Sequence, residues 1–130
     1  RRMIVDTSAI LAIVFKEEGW ESVLDRILSS SDVAAGAPTL AETGIVLQAR
    51  LGNDAPGMLE RMLKELAIQE VPFGEAHWRE AVDAFRRFGK GRHAAGLNFG
   101  DCMTYAVAHL ASEPLIHVGE DFGRTDITLA

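Results

Sequence analysis

Apolar residues recur along this chain with two different periods, and the switches between them mark its elements. Met3, Ile4 and Val5 form a short run that stops at Asp6, which predicts a buried strand over 3–5. Thr7 or Ser8 then offers a side-chain oxygen to cap a helix over 9–15. Trp20, Val23, Leu24, Ile27 and Leu28 step by three and four, with Glu21, Asp25 and Arg26 on the other face, so 20–28 reads as a helix. Ser29 to Asp32 interrupt it, and Val33, Ala34 and Ala35 predict a second strand. Pro38 restricts the entry to a helix over 40–51, closed by Gly52 and Asn53. Asp54 and Pro56 suit the start of another helix, with Met58, Leu59, Met62, Leu63 and Leu66 on one stripe.

The second half repeats the alternation. Residues 68–72 read as a third strand, and 76–88 as a helix carrying Trp78, Ala81, Val82, Phe85 and Phe88 on one face. At helical spacing those aromatics are expected in the core or on a partner-binding surface. A basic stretch rich in glycine, residues 89–93, should be a loop. Asp101 is expected to open the next helix, through Tyr105, Val107 and Leu110; residues 115–118 predict a fourth strand and 127–129 a fifth. Strands alternating with helices imply an α/β fold with a parallel sheet covered on both faces. In such sheets the functional site lies beyond the carboxyl ends of the strands.

Composition narrows the partners more than the fold. The chain has 130 residues, 13 Lys and Arg against 19 Asp and Glu, and a net charge of −6. One domain over 3–130 is expected at this length, with Met3 as the natural start and Arg1 and Arg2 as additions. An acidic balance excludes a polybasic nucleic-acid binder, because bulk positive charge supplies most nonspecific affinity for phosphate backbones. It does not exclude an enzyme that reaches nucleic acid through bound cations. No apolar run approaches the roughly 20 residues of a membrane-spanning helix. A single cysteine, Cys102, forms no internal disulfide and points to a reducing, cytoplasmic setting.

Four acids stand where apolar or small side chains would be expected. Asp6 ends the first strand, Glu42 lies among Leu40, Ala41, Ile45 and Val46, Asp101 starts a helix, and Asp121 follows Val118, Gly119 and Glu120. Each alone fits a local role as a cap or turn residue. Gathered by the fold, they would repel one another unless a divalent cation offset the charge, and hard oxygen ligands suit Mg²⁺ or Mn²⁺. The first turn of a helix would also favour Glu42 and Asp101 through its partial positive charge. His77, His109 and His117 form no zinc pattern with Cys102.

These residues also carry a family resemblance. The opening 3–9, Ala41-Glu42-Thr43, the stretch 89–93, the run 97–102, and 119–122 with Thr125-Asp126-Ile127 together resemble PIN-domain ribonucleases, particularly VapC-type toxins of bacterial toxin–antitoxin pairs. The resemblance implies a three-layer α/β/α fold with a central, mainly parallel sheet of four or five strands. It implies RNA as substrate, Mg²⁺ or Mn²⁺ as cofactor, a VapB-type antitoxin as partner, and a homodimer. Asp6, Glu42 and Asp101 match the first three family acids. Asp121, which directly precedes Phe122, matches the fourth, with Glu120 as second choice. Ser8 or Thr7 matches a hydroxyl lining the site, and Asn98 is placed to support Asp101 by hydrogen bonding. Lys90, Arg92 and His93 would grip RNA phosphates, although a solvated loop suits them as well.

The activity expected from this set is endoribonucleolytic hydrolysis by metal-activated water. Two other readings fit parts of the pattern. In an aspartyl-phosphate phosphatase or receiver-like domain Asp6 would attack phosphorus itself, but Ser8 stands where such phosphatases carry a second acid. In a partner-binding module the acids would be structural, and the apolar faces of 20–28 and 58–66 would be the contacts.

Overall fold

The computed structural model describes residues 2–130, which build a three-layer α/β/α fold. Strands β1 (Arg2–Val5), β2 (Asp32–Gly36), β3 (Ile68–Val71) and β4 (Leu115–Ile116) form one sheet in the order β3-β2-β1-β4. Every pairing is parallel, with Ile4 opposite Ala34 on one side and Leu115 on the other.

The strands are apolar because both faces of the sheet are covered. Ile4, Ala34 and Leu115 face helices α5 (Glu75–Phe88) and α6 (Phe99–Ala111), packing with Ala81, Ala84, Tyr105, Ala106 and Val107. Their neighbours Val5, Val33, Ala35 and Ile116 face the opposite way, as the two-residue period of a strand requires. There they meet α1 (Thr7–Phe15) and α2 (Trp20–Ser29) through Ala9, Ile10, Val23 and Ile27. Helix α4 (Met58–Glu65) covers the same face with half-buried Met62 and Leu63. Helix α3 (Ala37–Leu51) touches both α1 and α6, and so bridges the two layers. Gly36, where β2 ends, packs so close to α6 that a Cβ there would lie 2.7 Å from Val107 Cγ2.

Several expectations are corrected. Residues 127–129 are not a strand: Leu129 makes one isolated parallel bridge to Leu115, supported by bonds from Leu115 N–H to Thr128 and from Ala130 N–H to Leu115. Strand β4 ends at Ile116, and Val118, expected inside it, is exposed. The first helix is capped by Asp6 itself and not by Thr7 or Ser8. Helix α3 starts at Ala37, since Pro38 suits a first turn, which puts Glu42 in the second turn. Helix α6 starts at Phe99, with Asn98 as its cap. Of the aromatics expected in the core or on a partner-binding surface, Trp78 and Phe85 are exposed, which leaves the second of the two places for them. Among the described residues no helix is long and apolar enough to cross a membrane.

Candidate active site

Asp6, Glu42 and Asp121 reach the carboxyl-terminal edge of the sheet by different routes. Asp6 directly follows β1, Glu42 lies on α3 just after β2, and Asp121 begins a short 3₁₀ turn, Asp121–Arg124, beyond β4. Asp101 arrives on the first turn of α6. Strand order reverses at β1, which is flanked by β2 and β4, and an open parallel sheet presents its crevice at such a point.

Asp6 is 6% exposed, and both oxygens of its carboxylate accept hydrogen bonds. Oδ2 accepts from Ser8 N–H at 3.2 Å and Ser8 Oγ at 2.7 Å, and Oδ1 accepts from Thr104 Oγ1 at 2.8 Å. Ser8 Oγ in turn accepts from Val118 N–H at 2.9 Å, which ties the segment after β4 to the start of α1. Val118 therefore spends its amide on the site and not on a sheet ladder.

Glu42 is held by a hydroxyl and by a gap. Thr7 Oγ1 donates to Glu42 Oε1 at 2.9 Å. The other oxygen sits over Gly100, where a Cβ would lie 2.7 Å from Oε2. Glu42 thus reaches the first turn of α6, next to Asp101, only because residue 100 has no side chain. The charge favouring it comes from a neighbouring helix start, and not from its own as expected.

Asp101 closes a reciprocal cap with Asn98. Its own N–H donates to Asn98 Oδ1 at 2.9 Å, and Asn98 N–H donates to Asp101 Oδ2 at 3.1 Å. Burial pushes the Asp101 carboxyl up to about 6; the Asn98 N–H opposes this, while the charges of Asp6, Asp121 and Glu42 add to it. The four acids therefore share one field. Of the adjacent pair, Asp121 is the acid whose charge registers at Asp101.

This arrangement matches a known family. The PIN domain family matches residues 3–127. The chain belongs to the PIN-domain family. Ribonuclease VapC36 of Mycobacterium tuberculosis is 45% identical over 126 residues, covering 96% of this chain and 91% of that protein. A ribonuclease VapC of Mycolicibacterium smegmatis is 35% identical over 125 residues, covering 96% and 97%. In fold the chain is similar to the M. tuberculosis toxin VapC20, which cleaves the sarcin–ricin loop (TM-score 0.77, 17% identity, 98% of each chain). It is also similar to VapBC2 of Rickettsia felis bound to a promoter DNA fragment (TM-score 0.79, 12% identity, 100% and 98%).

In this PIN domain the donor set suits a hard divalent cation, since every acid offers oxygen. Burial raises the Asp101 carboxyl first, and the charges of Asp6, Asp121 and Glu42 add a smaller part that such a cation would relieve. Among the described residues, no three His, Cys, Asp or Glu side chains already close on one point as ligands. Asp6 and Glu42 rest instead on Ser8, Thr104 and Thr7. Cys102, beside Asp101, is buried and kept a thiol, pushed up to about 11 by burial and then by the Asp101 charge.

The basic stretch 89–93 of the PIN domain lies in a loop of turns, as expected. Lys90, Arg92 and His93 are all exposed. Arg92 lies over the Phe85 ring at 5.5 Å, and His93 Nδ1 accepts from Ala95 N–H at 3.0 Å. The loop meets the acid turn through Ala94 and Ala95, which share a polar cavity of about 80 Å³ with Glu120, Asp121 and Arg124. Arg124 donates to the Ala94 carbonyl at 3.3 Å. Sequence reasoning missed Arg124, a lone cation three residues after Asp121, and His117. The His117 ring packs edge-on against Phe122 with Nε2 buried and unpartnered. Burial lowers its pKa, against the nearby charge of Asp6.

Proposed function

We propose that this chain is a divalent-cation-dependent endoribonuclease, the toxin of a VapBC-type toxin–antitoxin pair, with Asp6, Glu42, Asp101 and Asp121 holding the cation. What supports this reading is that Asp6 after β1, Glu42 on α3 and Asp121 after β4 converge on the start of α6, where their charges add to burial in raising the Asp101 carboxyl. Relatives at 35–45% identity bearing the VapC ribonuclease name support RNA as the substrate. A bound Mg²⁺ or Mn²⁺ ion neutralises charge on the phosphate and makes water nucleophilic near neutral pH.

The chain's own residues orient and recruit. Ser8 and Thr104 fix Asp6, Thr7 fixes Glu42, and the Asn98 cap fixes Asp101. Lys90, Arg92, His93 and Arg124 hold RNA phosphates at the rim, since cationic side chains are the usual donors there. Attack by water at phosphorus with departure of the 3′-oxygen, and not attack by the ribose 2′-hydroxyl, would leave 3′-hydroxyl and 5′-phosphate ends. The partner is a VapB-type antitoxin, in keeping with fold neighbours that are themselves toxin–antitoxin complexes. A groove of about 380 Å³ lined by Ile13, Val14, Leu24, Met58, Met62 and Leu66 offers it an apolar seat. The active form is a homodimer, acting in the cytoplasm.

The test is cleavage of RNA by the purified chain with Mn²⁺, read by sequencing the new 5′ ends. Asp6→Asn and Asp101→Asn should each abolish cleavage while the circular dichroism spectrum is kept. Full activity in both variants sinks the assignment.

A further inference from the structure

Apart from Asp6, the Tyr105 hydroxyl and the Cys102 thiol, the buried polar side chains among the described residues are four threonines: Thr7, Thr39, Thr43 and Thr104. They come from α1, α3 and α6, yet their hydroxyls lie within hydrogen-bond distance of one another around Asp6 and Glu42. Buried hydroxyls need partners, but partners alone do not dictate the direction of the bonds. Proton counting does.

A hydroxyl has a single proton to donate, and an ionised carboxylate has none. The Thr104 proton is committed to Asp6 Oδ1 at 2.8 Å. Thr39 Oγ1 lies 3.1 Å from Thr104 Oγ1, so Thr39 must be the donor of that bond. Thr43 donates to the Thr39 carbonyl at 2.7 Å in preference to Thr7 Oγ1 at 3.3 Å, and Thr7 donates to Glu42 at 2.9 Å in preference to the Thr39 carbonyl at 3.3 Å. Ser8 Oγ already accepts from Val118, so its proton goes to Asp6 Oδ2. Each proton is thus directed toward a carboxylate or toward a group that braces one.

The count distinguishes the two oxygens of Asp6. Oδ2 accepts two bonds, from Ser8 N–H and Ser8 Oγ, which occupy both of its lone pairs. Oδ1 accepts one, from Thr104, and keeps one lone pair free.

Resting on the cation-site reading above, we propose that Thr104 is a positioning residue. Its hydroxyl, itself held by Thr39, fixes the one Asp6 oxygen with capacity left for a divalent cation. Outer hydrogen-bond partners of this kind commonly carry a large share of a metal site's affinity.

The experiment titrates the full-length chain with Mn²⁺ by calorimetry and measures RNA cleavage in parallel. Thr104→Val, which keeps the shape and removes the donor, should weaken Mn²⁺ binding and lower kcat by about tenfold each, with KM for RNA moving less than about twofold. Thr104→Ser restores the hydroxyl and should recover most of both. Thr104→Val alone leaves the Thr39 proton without its acceptor, so loss of fold is a danger. The double variant Thr39→Val with Thr104→Val removes the Thr39–Thr104 pair together, so no Thr39 proton is stranded, although Asp6 Oδ1 still loses its donor. It should melt higher than Thr104→Val and still bind Mn²⁺ weakly. Wild-type Mn²⁺ affinity in either valine variant overturns the proposal, as does an equal loss in Thr104→Ser. Asp6→Asn separates the two levels. If it abolishes Mn²⁺ binding and cleavage while Thr104→Val changes neither, Thr104 has no such role and the cation site stands. If Asp6→Asn binds and cleaves like wild type, the cation-site reading falls and the Thr104 proposal with it.

Discussion

At the scale of single residues, Asp101 holds the sharpest conflict. Its carboxyl is pushed up to about 6 by burial and then by three neighbouring acids, against the pull of the Asn98 N–H. A carboxyl that keeps its proton better folded than unfolded stabilises the fold at low pH, and that contribution is lost as pH rises through about 6. The lowered pKa of His117 acts in the opposite direction, because acid must charge a ring that burial disfavours. The Asp101 share is therefore read by difference. In EDTA, raising the pH from about 5 to about 7.5 should lower Tm more in the wild type than in Asp101→Asn. Parallel melting curves for the two proteins count against a raised Asp101 carboxyl. The acids were legible in the sequence because a carboxylate inside an apolar run stands out. Their supports were not: a threonine such as Thr104 is unremarkable among Cys102, Met103 and Tyr105 until the fold sets its hydroxyl 2.8 Å from Asp6.

At the scale of elements, the start of α6 matters most. Gly100 lies inside a helix, where alanine is favoured by roughly 1 kcal/mol. A methyl there would press on Glu42 Oε2, the mobile end of a flexible side chain. Gly100→Ala should therefore leave Tm unchanged or slightly raised and lower cleavage at least about tenfold by turning Glu42 away from the acids. Thermal melts and turnover on the same preparation check both halves, and an active Gly100→Ala protein would mean that Glu42 needs no such place. The helices were readable from their three- and four-residue apolar steps, and their errors fell at the ends. Pro38 was read as holding the helix off, whereas it occupies the first turn of α3. Beyond Ile116 the apolar run promised more strand, but the Val118 amide had a better acceptor in Ser8. Leu129 pairs once with Leu115 and stops. Local pattern carries the elements, while their limits depend on tertiary partners that no local pattern shows.

At the scale of the whole molecule, a chain of net charge −6 must approach a polyanion. A bound cation eases only the centre of the site, so the rim needs its own positive charge. The tail that carries Asp121 is tied down by cations already. Arg87 and the buried Tyr105 hydroxyl bond the two oxygens of Asp126 at 2.9 and 2.6 Å. Burial opposes ionisation of Asp126, but these bonds outweigh it and hold its carboxyl below the usual range. Arg87 is thus spent on structure, and Tyr105→Phe should cost about 1 kcal/mol in a denaturation curve. Arg124 is exposed on the Asp121 turn, and Lys90 and Arg92 are exposed on the loop that meets this turn through Ala94 and Ala95. If they hold phosphates, each releases condensed counterions when RNA binds, and the logarithm of affinity falls with the logarithm of salt in proportion to their number. Lys90→Ala and Arg124→Ala should each raise KM, leave kcat within about twofold, and flatten the salt slope by about 0.7 for single-stranded RNA. Measuring KM from about 50 to about 300 mM KCl separates this from a structural effect. A loop that merely packs would change KM by the same factor at every salt concentration, and the slope would stay that of the wild type.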